Sequence, residues 1–394
     1  MRIHASSRMV LILTILLIIM LSGCSNVFNS TLSNTNSNEA SDIVLTSPST
    51  SPSESPVIKP IEGERFSGDL ELPVIGATGF TSVALELKFE ENTGAETIEL
   101  LPAGYAFEIL KEREEWWYVR TNNSVGWLEH KYCFINLPDV IPSIVYDNTN
   151  TYASKFKSSG KDIPEITDIA LYTSKSYNER LEKEEYIMPV LYSMSKRIHV
   201  AQKLALNEGN SLKIYEAFRP YSVQKAIVDG LAKLASEDPD VKKGLNVPPW
   251  NMSWFIVDGV SNHQVGYSID VSLIKIDTVD EILIGDFIIT QITEYTEYTM
   301  PTFIHELSAA SAIYKTKVPA NSSTAWKSAT YAESMNESAI ILQNYCTKAG
   351  LSPVASEWWH FNDLQARQET KEKSSDGKFL LTSIFSSTPQ QIVD

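Results

Sequence analysis

The sequence has few cysteines, few histidines and little positive charge. Its 394 residues include three cysteines, six histidines, and 33 Lys or Arg against 49 Asp or Glu. So few cysteines do not predict a disulfide framework. The formal net charge of −16 argues against nucleic acid as a partner. Since hydrophobic residues still make up 43%, the chain can bury a sizeable core, and its length leaves room for two domains.

The N-terminal apolar run is too short to span a bilayer comfortably. Residues 9–21 are apolar except for Thr14, and they follow Arg2 and Arg8 with no acidic residue before them. A run of this length behind positive charge is typical of the central region of a signal peptide. We therefore predict that residues 1–23 are a signal peptide.

This run ends in a short motif that predicts a lipid anchor. The motif Leu21-Ser22-Gly23-Cys24 resembles the lipobox of bacterial lipoproteins. The resemblance implies a diacylglyceryl thioether on Cys24, which would hold the chain on the outer face of the bacterial cell membrane. The alternative is an ordinary cleaved signal peptide with a chance cysteine.

Composition divides the remainder into a linker and two domains. Of residues 25–60, 23 of 36 are Ser, Thr, Asn or Pro, and no apolar period is visible there. Such a composition predicts a disordered linker, which we place at residues 24–68. Residues 69–138 and 139–394 are the two predicted domains.

The first predicted domain consists of short apolar runs separated by turn residues. The order of PAG at 102–104, WWYVR at 116–120 and VGWL at 125–128 resembles the bacterial SH3-like domain of cell-wall proteins. The resemblance implies a small all-β barrel that binds wall peptides or positions the next domain. The tryptophans of these runs could equally be core residues.

The second predicted domain mixes helical and strand patterns. Apolar spacing predicts helices over residues 186–208 and 331–349, while residues 212–218, 267–276 and 358–361 favour strands. Gly209 and Gly350 follow the two helices, as expected of residues that end them. This irregular order of helices and strands predicts an α+β fold and not a doubly wound parallel sheet.

Residues with metal-binding and acid–base chemistry occur in three distant segments. A catalytic zinc takes three protein ligands, and His263, Asp270 and His360 could supply them. A free carboxylate at Glu357 could then act as general base and acid, and Arg219 could stabilise an oxyanion. A His and an Asp seven residues apart occur often by chance, so spacing alone also allows surface or hydrogen-bonded core residues.

The three segments together look like the zinc D,D-peptidases that include the VanX-type D-Ala-D-Ala dipeptidases. The motifs are SxHxxGxxxD at 261–270, ExWH at 357–360 and Arg-Pro at 219–220, and the resemblance covers most of residues 145–365. It implies a fold with an antiparallel sheet and flanking helices, and one zinc ion per chain. Carried over residue by residue, it implies zinc ligands at His263, Asp270 and His360, a general base and acid at Glu357, transition-state stabilisation by Arg219, and substrate binding by Ser261.

One segment departs from the family pattern. Residues 300–308, MPTFIHELS, resemble a family segment in which an aspartate binds the free ammonium of a dipeptide, but this chain has His305 at that position. A neutral imidazole cannot pair with an ammonium as a carboxylate does. If His305 contacts the substrate, the amino side is expected to be acylated, as in a peptidoglycan stem peptide. Alternatively His305 is structural and other acids, such as Glu306, meet the ammonium.

The sequence therefore predicts a zinc metallopeptidase of the D-alanyl-D-alanine dipeptidase kind, acting outside the cell on peptidoglycan-derived peptides. One alternative is a D,D-carboxypeptidase or endopeptidase on acylated or cross-linked stem peptides. Another is a non-catalytic wall-binding lipoprotein, although such a protein has no need of Glu357 beside the ligands. The expected partners are peptidoglycan peptides or D-Ala-D-Ala, and the membrane through Cys24.

Overall fold

The computed structural model describes residues 60–391. The predicted signal peptide, the predicted lipidation site Cys24 and most of the predicted linker lie outside the described residues. Among the residues that are described, no helix is long and apolar enough to cross a membrane.

Residues 60–391 contain 18 strands and seven α-helices, together with short 3₁₀ turns. The strands are β1 (Thr78–Thr81), β2 (Leu85–Lys88), β3 (Thr97–Leu101), β4 (Ala106–Arg113), β5 (Trp116–Arg120), β6 (Val125–Glu129), β7 (Cys133–Asn136), β8 (Val145–Tyr146), β9 (Lys157–Ser158), β10 (Lys161–Asp162), β11 (Lys175–Asn178), β12 (Lys183–Tyr186), β13 (Pro189–Leu191), β14 (Asn210–Glu216), β15 (Ser268–Ile284), β16 (Phe287–Glu297), β17 (Ser352–Val354) and β18 (Glu357–Asn362). The helices are α1 (Leu137–Val140), α2 (Tyr192–Leu206), α3 (Tyr221–Glu237), α4 (Pro239–Leu245), α5 (Asn262–Val265), α6 (Glu337–Lys348) and α7 (Leu364–Thr370).

An eight-stranded antiparallel sheet contains the strands of the predicted first domain. Its order is β13-β7-β1-β4-β5-β6-β2-β3, and among the described strands its two ends are not paired with each other. The closed SH3-like barrel is therefore not confirmed. Strand β13 comes from the predicted second domain and pairs with β7, because its apolar run Pro189–Leu191 extends the edge of this sheet.

A six-stranded sheet forms the centre of the second region. Its order is β17-β18-β15-β14-β8, and β16 continues the long hairpin from β15. All pairs are antiparallel except β8 with β14. Helices α2 and α6 pack on each other and on this sheet, so every residue of β14 is buried. The region is thus α+β with an antiparallel sheet and flanking helices, as the sequence predicts.

Three strand positions bring distant residues to one point of this sheet. Asp270 on β15 lies opposite Glu216 at the end of β14 and opposite His360 on β18. Helix α5 immediately precedes β15 and carries His263. Gly266 ends α5 with a φ of 83°, a left-handed conformation that glycine adopts without a steric penalty.

Candidate metal centre and active site

His263, Asp270 and His360 meet at one buried cluster. His263 Nε2 lies 3.2 Å from His360 Nδ1 and 3.3 Å from Asp270 Oδ1. His360 Nδ1 lies 2.9 Å from the same carboxylate oxygen. The cluster offers three ligand atoms within 4.8 Å of one another, and all three residues are buried.

Hydrogen bonds on the far side of each ring fix which nitrogen faces the cluster. His263 Nδ1 donates to the carbonyl oxygen of Ala217 at 2.7 Å, since that oxygen can only accept. His360 Nε2 donates to Asn362 Oδ1 at 3.1 Å, and Asn262 donates to the same oxygen. In neutral rings, the nitrogens that face each other therefore carry lone pairs.

This donor set fits a metal ion. Two imidazole lone pairs and one carboxylate oxygen converge in a buried space, and all three groups are acceptors. Buried acceptors that face one another need a proton or a cation between them. Two imidazoles and a carboxylate suit zinc, and the partners beyond the ligands resemble the supporting hydrogen bonds of zinc sites.

The charges of the three groups are consistent with this arrangement. Burial alone would raise the pKa of Asp270, but the surrounding histidines hold it well below its usual value. Burial lowers the pKa of His263. Burial would also lower the pKa of His360, yet its hydrogen bond to Asp270 raises it. Asp270 is thus a carboxylate at neutral pH and the main negative charge of the cluster.

Arg219 lies beside the cluster in a network of hydrogen bonds. It donates through Nε to Glu216 at 2.8 Å and through one terminal nitrogen to Gln224 at 2.7 Å. Its other terminal nitrogen contacts Glu216 and lies 3.3 Å from Asp270 Oδ2. These contacts leave one of the five guanidinium N–H groups free of a partner among the described residues. Burial would lower the pKa of Arg219, but Glu216 and Asp270 raise it.

Glu357 lies next to His360 but outside the group of three ligand atoms. One of its oxygens is 3.7 Å from His360 Nδ1. The pairing of β17 with β18 is irregular next to Glu357, so the usual alternation of faces does not separate it from His360. Burial raises the pKa of Glu357 to about 8, so this carboxyl can exchange a proton near neutral pH.

A cavity of about 460 Å³ opens onto these groups. It is lined by the three clustered residues, by Arg219, Ser261 and Glu357, and by an apolar wall from Trp254 to Val257. Ser261 is the N-cap residue of α5, and its buried O–H finds no acceptor among the described residues, so it can donate to a bound molecule. The volume is in the range of sites for small ligands.

His305 occupies a different place from the other predicted site residues. Its side chain is fully buried and is not part of the cavity lining. Its Nε2 lies 3.1 Å from Asp270 Oδ2, on the side of the carboxylate away from His263 and His360. This position does not support the predicted contact of His305 with a substrate, because Asp270 stands between the ring and the other ligands.

Sequence reasoning missed the residues that support the cluster. Asn362 lies two residues after His360 on the same strand face, and Glu216 lies three residues before Arg219. Gln224 is on the first turns of α3 and holds Arg219 in place. The alternation of β18 could have indicated Asn362, whereas the pairing of Glu216 with Arg219 depends on how the chain turns after β14.

Comparison with known proteins places these residues in a peptidase context. Residues 181–376 match the model of a family described as D-Ala-D-Ala dipeptidase, and this range contains every residue of the cluster. The match supports the peptidase family for this part of the chain. No curated protein was found to match the chain significantly.

Proposed function

We propose that the protein is a zinc-dependent peptidase that hydrolyses the amide bond between two D-alanine residues. The observation that carries the proposal is the convergence of two imidazole lone pairs and the Asp270 carboxylate at the wall of a cavity, with Glu357 beside them. The family match supports a peptidase of the dipeptidase or carboxypeptidase kind. His263, Asp270 and His360 would hold the zinc ion.

The residues around the cavity divide the remaining chemical tasks. Zinc, when bound, supplies a Lewis acid that polarises the carbonyl and acidifies water. Glu357 as a carboxylate accepts a proton from the attacking water and returns it to the leaving amine. Arg219 directs its remaining N–H and its positive charge to the oxygen that becomes negative. Ser261 binds and orients the substrate by donating its O–H.

The charges of the cavity favour a substrate whose amino side is acylated. Asp270 and Glu357 are the acids of the cavity lining, and both are used at the cluster. Glu306 accepts hydrogen bonds from the backbone of Ser159 and from Gly160 at 3.0 Å, and it does not line the cavity. A free ammonium would find no spare carboxylate among these residues. Within the proposed activity, these charges favour a D,D-carboxypeptidase on stem peptides, and a dipeptidase on free D-Ala-D-Ala is the second candidate function.

The place of action is part of the proposal. A lipid on Cys24 would hold the enzyme on the outer face of the cell membrane, where peptidoglycan peptides are present. The eight-stranded sheet, which includes the segment that resembles SH3-like domains, would position the peptidase relative to the wall. The formal net charge of −16 argues against nucleic acid as a partner.

The test assays the full-length protein in detergent on two substrates, free D-Ala-D-Ala and an acylated peptide that ends in D-Ala-D-Ala. We expect release of D-alanine from an acylated peptide ending in D-Ala-D-Ala, loss of this activity with a chelator, and recovery with zinc. Glu357→Gln should bind zinc but lose about 10²–10⁴-fold in kcat. Cleavage of the free dipeptide alone would favour the dipeptidase. Zinc binding without cleavage of either substrate would favour the wall-binding alternative.

A further inference from the structure

The two oxygens of Asp270 face different partners. Oδ1 lies 3.3 Å from His263 Nε2 and 2.9 Å from His360 Nδ1. Oδ2 lies 3.1 Å from His305 Nε2 and 3.3 Å from Arg219. We propose that His305 is a positioning residue, whose ring N–H fixes the Asp270 carboxylate so that Oδ1 faces the zinc ligands. The inference rests on the proposed zinc site and adds a residue to it.

The surroundings of His305 hold its ring in one orientation. The ring stacks on Phe156 with centroids 4.2 Å apart and planes at 8°. Trp359 packs against it in a T-shaped arrangement. The backbone has a φ of 61°, which is uncommon for a residue with a side chain. The carbonyl oxygen of His305 accepts from the backbone of Lys157 at 3.1 Å, which fixes this conformation. A strained backbone conformation persists only where the surrounding contacts hold it, and such conformations are common at functional sites.

The chemistry of the ring argues for a role beyond packing. Because a carboxylate only accepts, Nε2 carries the proton toward Asp270, and Nδ1 is buried without a hydrogen-bond partner among the described residues. An unpaired buried nitrogen costs free energy, so phenylalanine would fill this space at least as well. What histidine adds over phenylalanine is the hydrogen bond to Asp270.

A second metal ion is a poorer explanation of the same geometry. Glu216, Asp270 and His305 also offer three ligand atoms close together. However, Arg219 already contacts both Glu216 and Asp270 and supplies the positive charge of this region. Two cations in the same place would repel each other. The N–H of His305 and the guanidinium of Arg219 therefore both donate to Oδ2 and hold it in place.

The test measures zinc affinity of full-length variants by competition with a chelator, with no substrate present. His305→Phe keeps an aromatic ring and removes the N–H, and we expect zinc binding to weaken about 10–100-fold, as for other residues that support zinc ligands. His305→Gln and His305→Met have similar length but differ in the donor. We expect His305→Gln to bind zinc more tightly than His305→Met, which a loss of packing alone would not produce.

His199→Phe is the matched control. His199 is a buried histidine whose ring bonds the carbonyl oxygen of Asp69 away from the cluster, so its replacement should leave zinc affinity unchanged. Equal affinities of His305→Phe and the parent, or of His305→Gln and His305→Met, would overturn the inference while the zinc site stands. A parent chain that binds no zinc would overturn both.

Discussion

At the scale of the residue, the site depends on how buried charges are matched. Asp270 is 1% exposed and Glu216 is fully buried, and the guanidinium of Arg219 contacts both carboxyl groups. A buried charge is tolerated only when it is paired and hydrogen-bonded. Arg219 thus pairs with both of these buried acids, and its side chain also lines the cavity.

Replacing Arg219 with lysine should separate charge from geometry. Arg219→Lys keeps the positive charge, but an ammonium cannot reach Glu216, Gln224 and Asp270 together in the planar arrangement of a guanidinium. We expect kcat/KM to fall about 10²–10³-fold, as on loss of an oxyanion donor. The measurement is steady-state hydrolysis of the acylated peptide at saturating zinc.

Arg180→Lys provides the comparison for this variant. Arg180 is also buried and donates to the carbonyl oxygen of Pro73, but it does not line the cavity. This change should lower stability without changing kcat/KM of the folded protein. An Arg219→Lys variant as active as the parent would remove Arg219 from the catalytic residues.

Among individual residues, those of the candidate site could be predicted best from the sequence. The resemblance to the zinc D,D-peptidases singled out His263, Asp270, His360 and Glu357, because spacing alone left other interpretations open. The structure brings these four side chains together. The position of His305 could not be predicted, because it depends on the pairing of Glu306 with Lys157 and on a left-handed backbone. Neither feature leaves a period or a spacing in the sequence.

At the scale of the element, the short helix and the turn next to the cluster position its residues more directly than the long helices do. Helix α5 has only four residues, and Gly266 turns the chain from it into β15. The carbonyl oxygen of Gly266 also accepts from the backbone of Leu191 in β13 at 2.8 Å. The position of His263 therefore depends on a turn that also contacts the eight-stranded sheet.

Gly266→Ala should destabilise this turn in two ways. A left-handed backbone costs a residue with a side chain about 1–2 kcal/mol. In addition, a Cβ at this position would come within 2.2 Å of the Phe134 ring, so the core must shift at a cost of about 1–3 kcal/mol. Chemical denaturation with and without zinc measures the loss of unfolding free energy.

Gly209→Ala controls for the backbone contribution. Gly209 follows α2 with a φ of 74°, and a Cβ there would meet nothing within 4 Å. Gly209→Ala should therefore lower the unfolding free energy only by the cost of the left-handed conformation. Equal losses for the two variants would show that Phe134 yields without cost and that the turn is less constrained than its contacts indicate.

Helices and strands were predicted well where the apolar period continues along the sequence. They were predicted poorly where pairing with a distant strand determines their bounds. The predicted helix at 186–208 exists as α2, but residues 189–191 at its start form β13 because β7 offers a sheet edge. Strand β15 is longer than predicted, since the hairpin with β16 continues beyond the buried face. Residues 331–336 are not helical, and α6 begins after Asn336, which accepts from the backbone of Ala339.

At the scale of the molecule, the two sheets share one hydrophobic core. Residues from β1 to β7 and residues from α2, β14 and β18 belong to the same buried cluster. The C-terminal segment adds a connection, because Phe379 stacks near Phe218 and Ser387 donates to the carbonyl oxygen of Gly76 at 2.7 Å. Composition could not predict these links, because residues 376–391 carry no regular apolar pattern.

Glu71 lies where the chain before the first sheet meets the six-stranded region, and it should make stability depend on pH. Its carboxylate accepts from the backbone N–H of Ser143 at 2.9 Å and from the Ser143 hydroxyl. Burial raises the pKa of Glu71 from 4.5 to about 7, although these hydrogen bonds lower it. Between these two values the folded protein keeps a proton that the unfolded chain has released.

The sign of the effect follows from the number of bound protons. Since the folded state binds more protons between pH 4.5 and about 7, its stability from this group falls as pH rises through that window. Glu71→Gln removes the titration and can still accept from Ser143, so its unfolding free energy should fall less than that of the parent between pH 5 and pH 8. Glu372→Gln, at an exposed position, should keep the parent's dependence. Parallel curves for the parent and Glu71→Gln, measured by urea denaturation across this range, would show that the Glu71 carboxyl is ionised in the folded protein throughout.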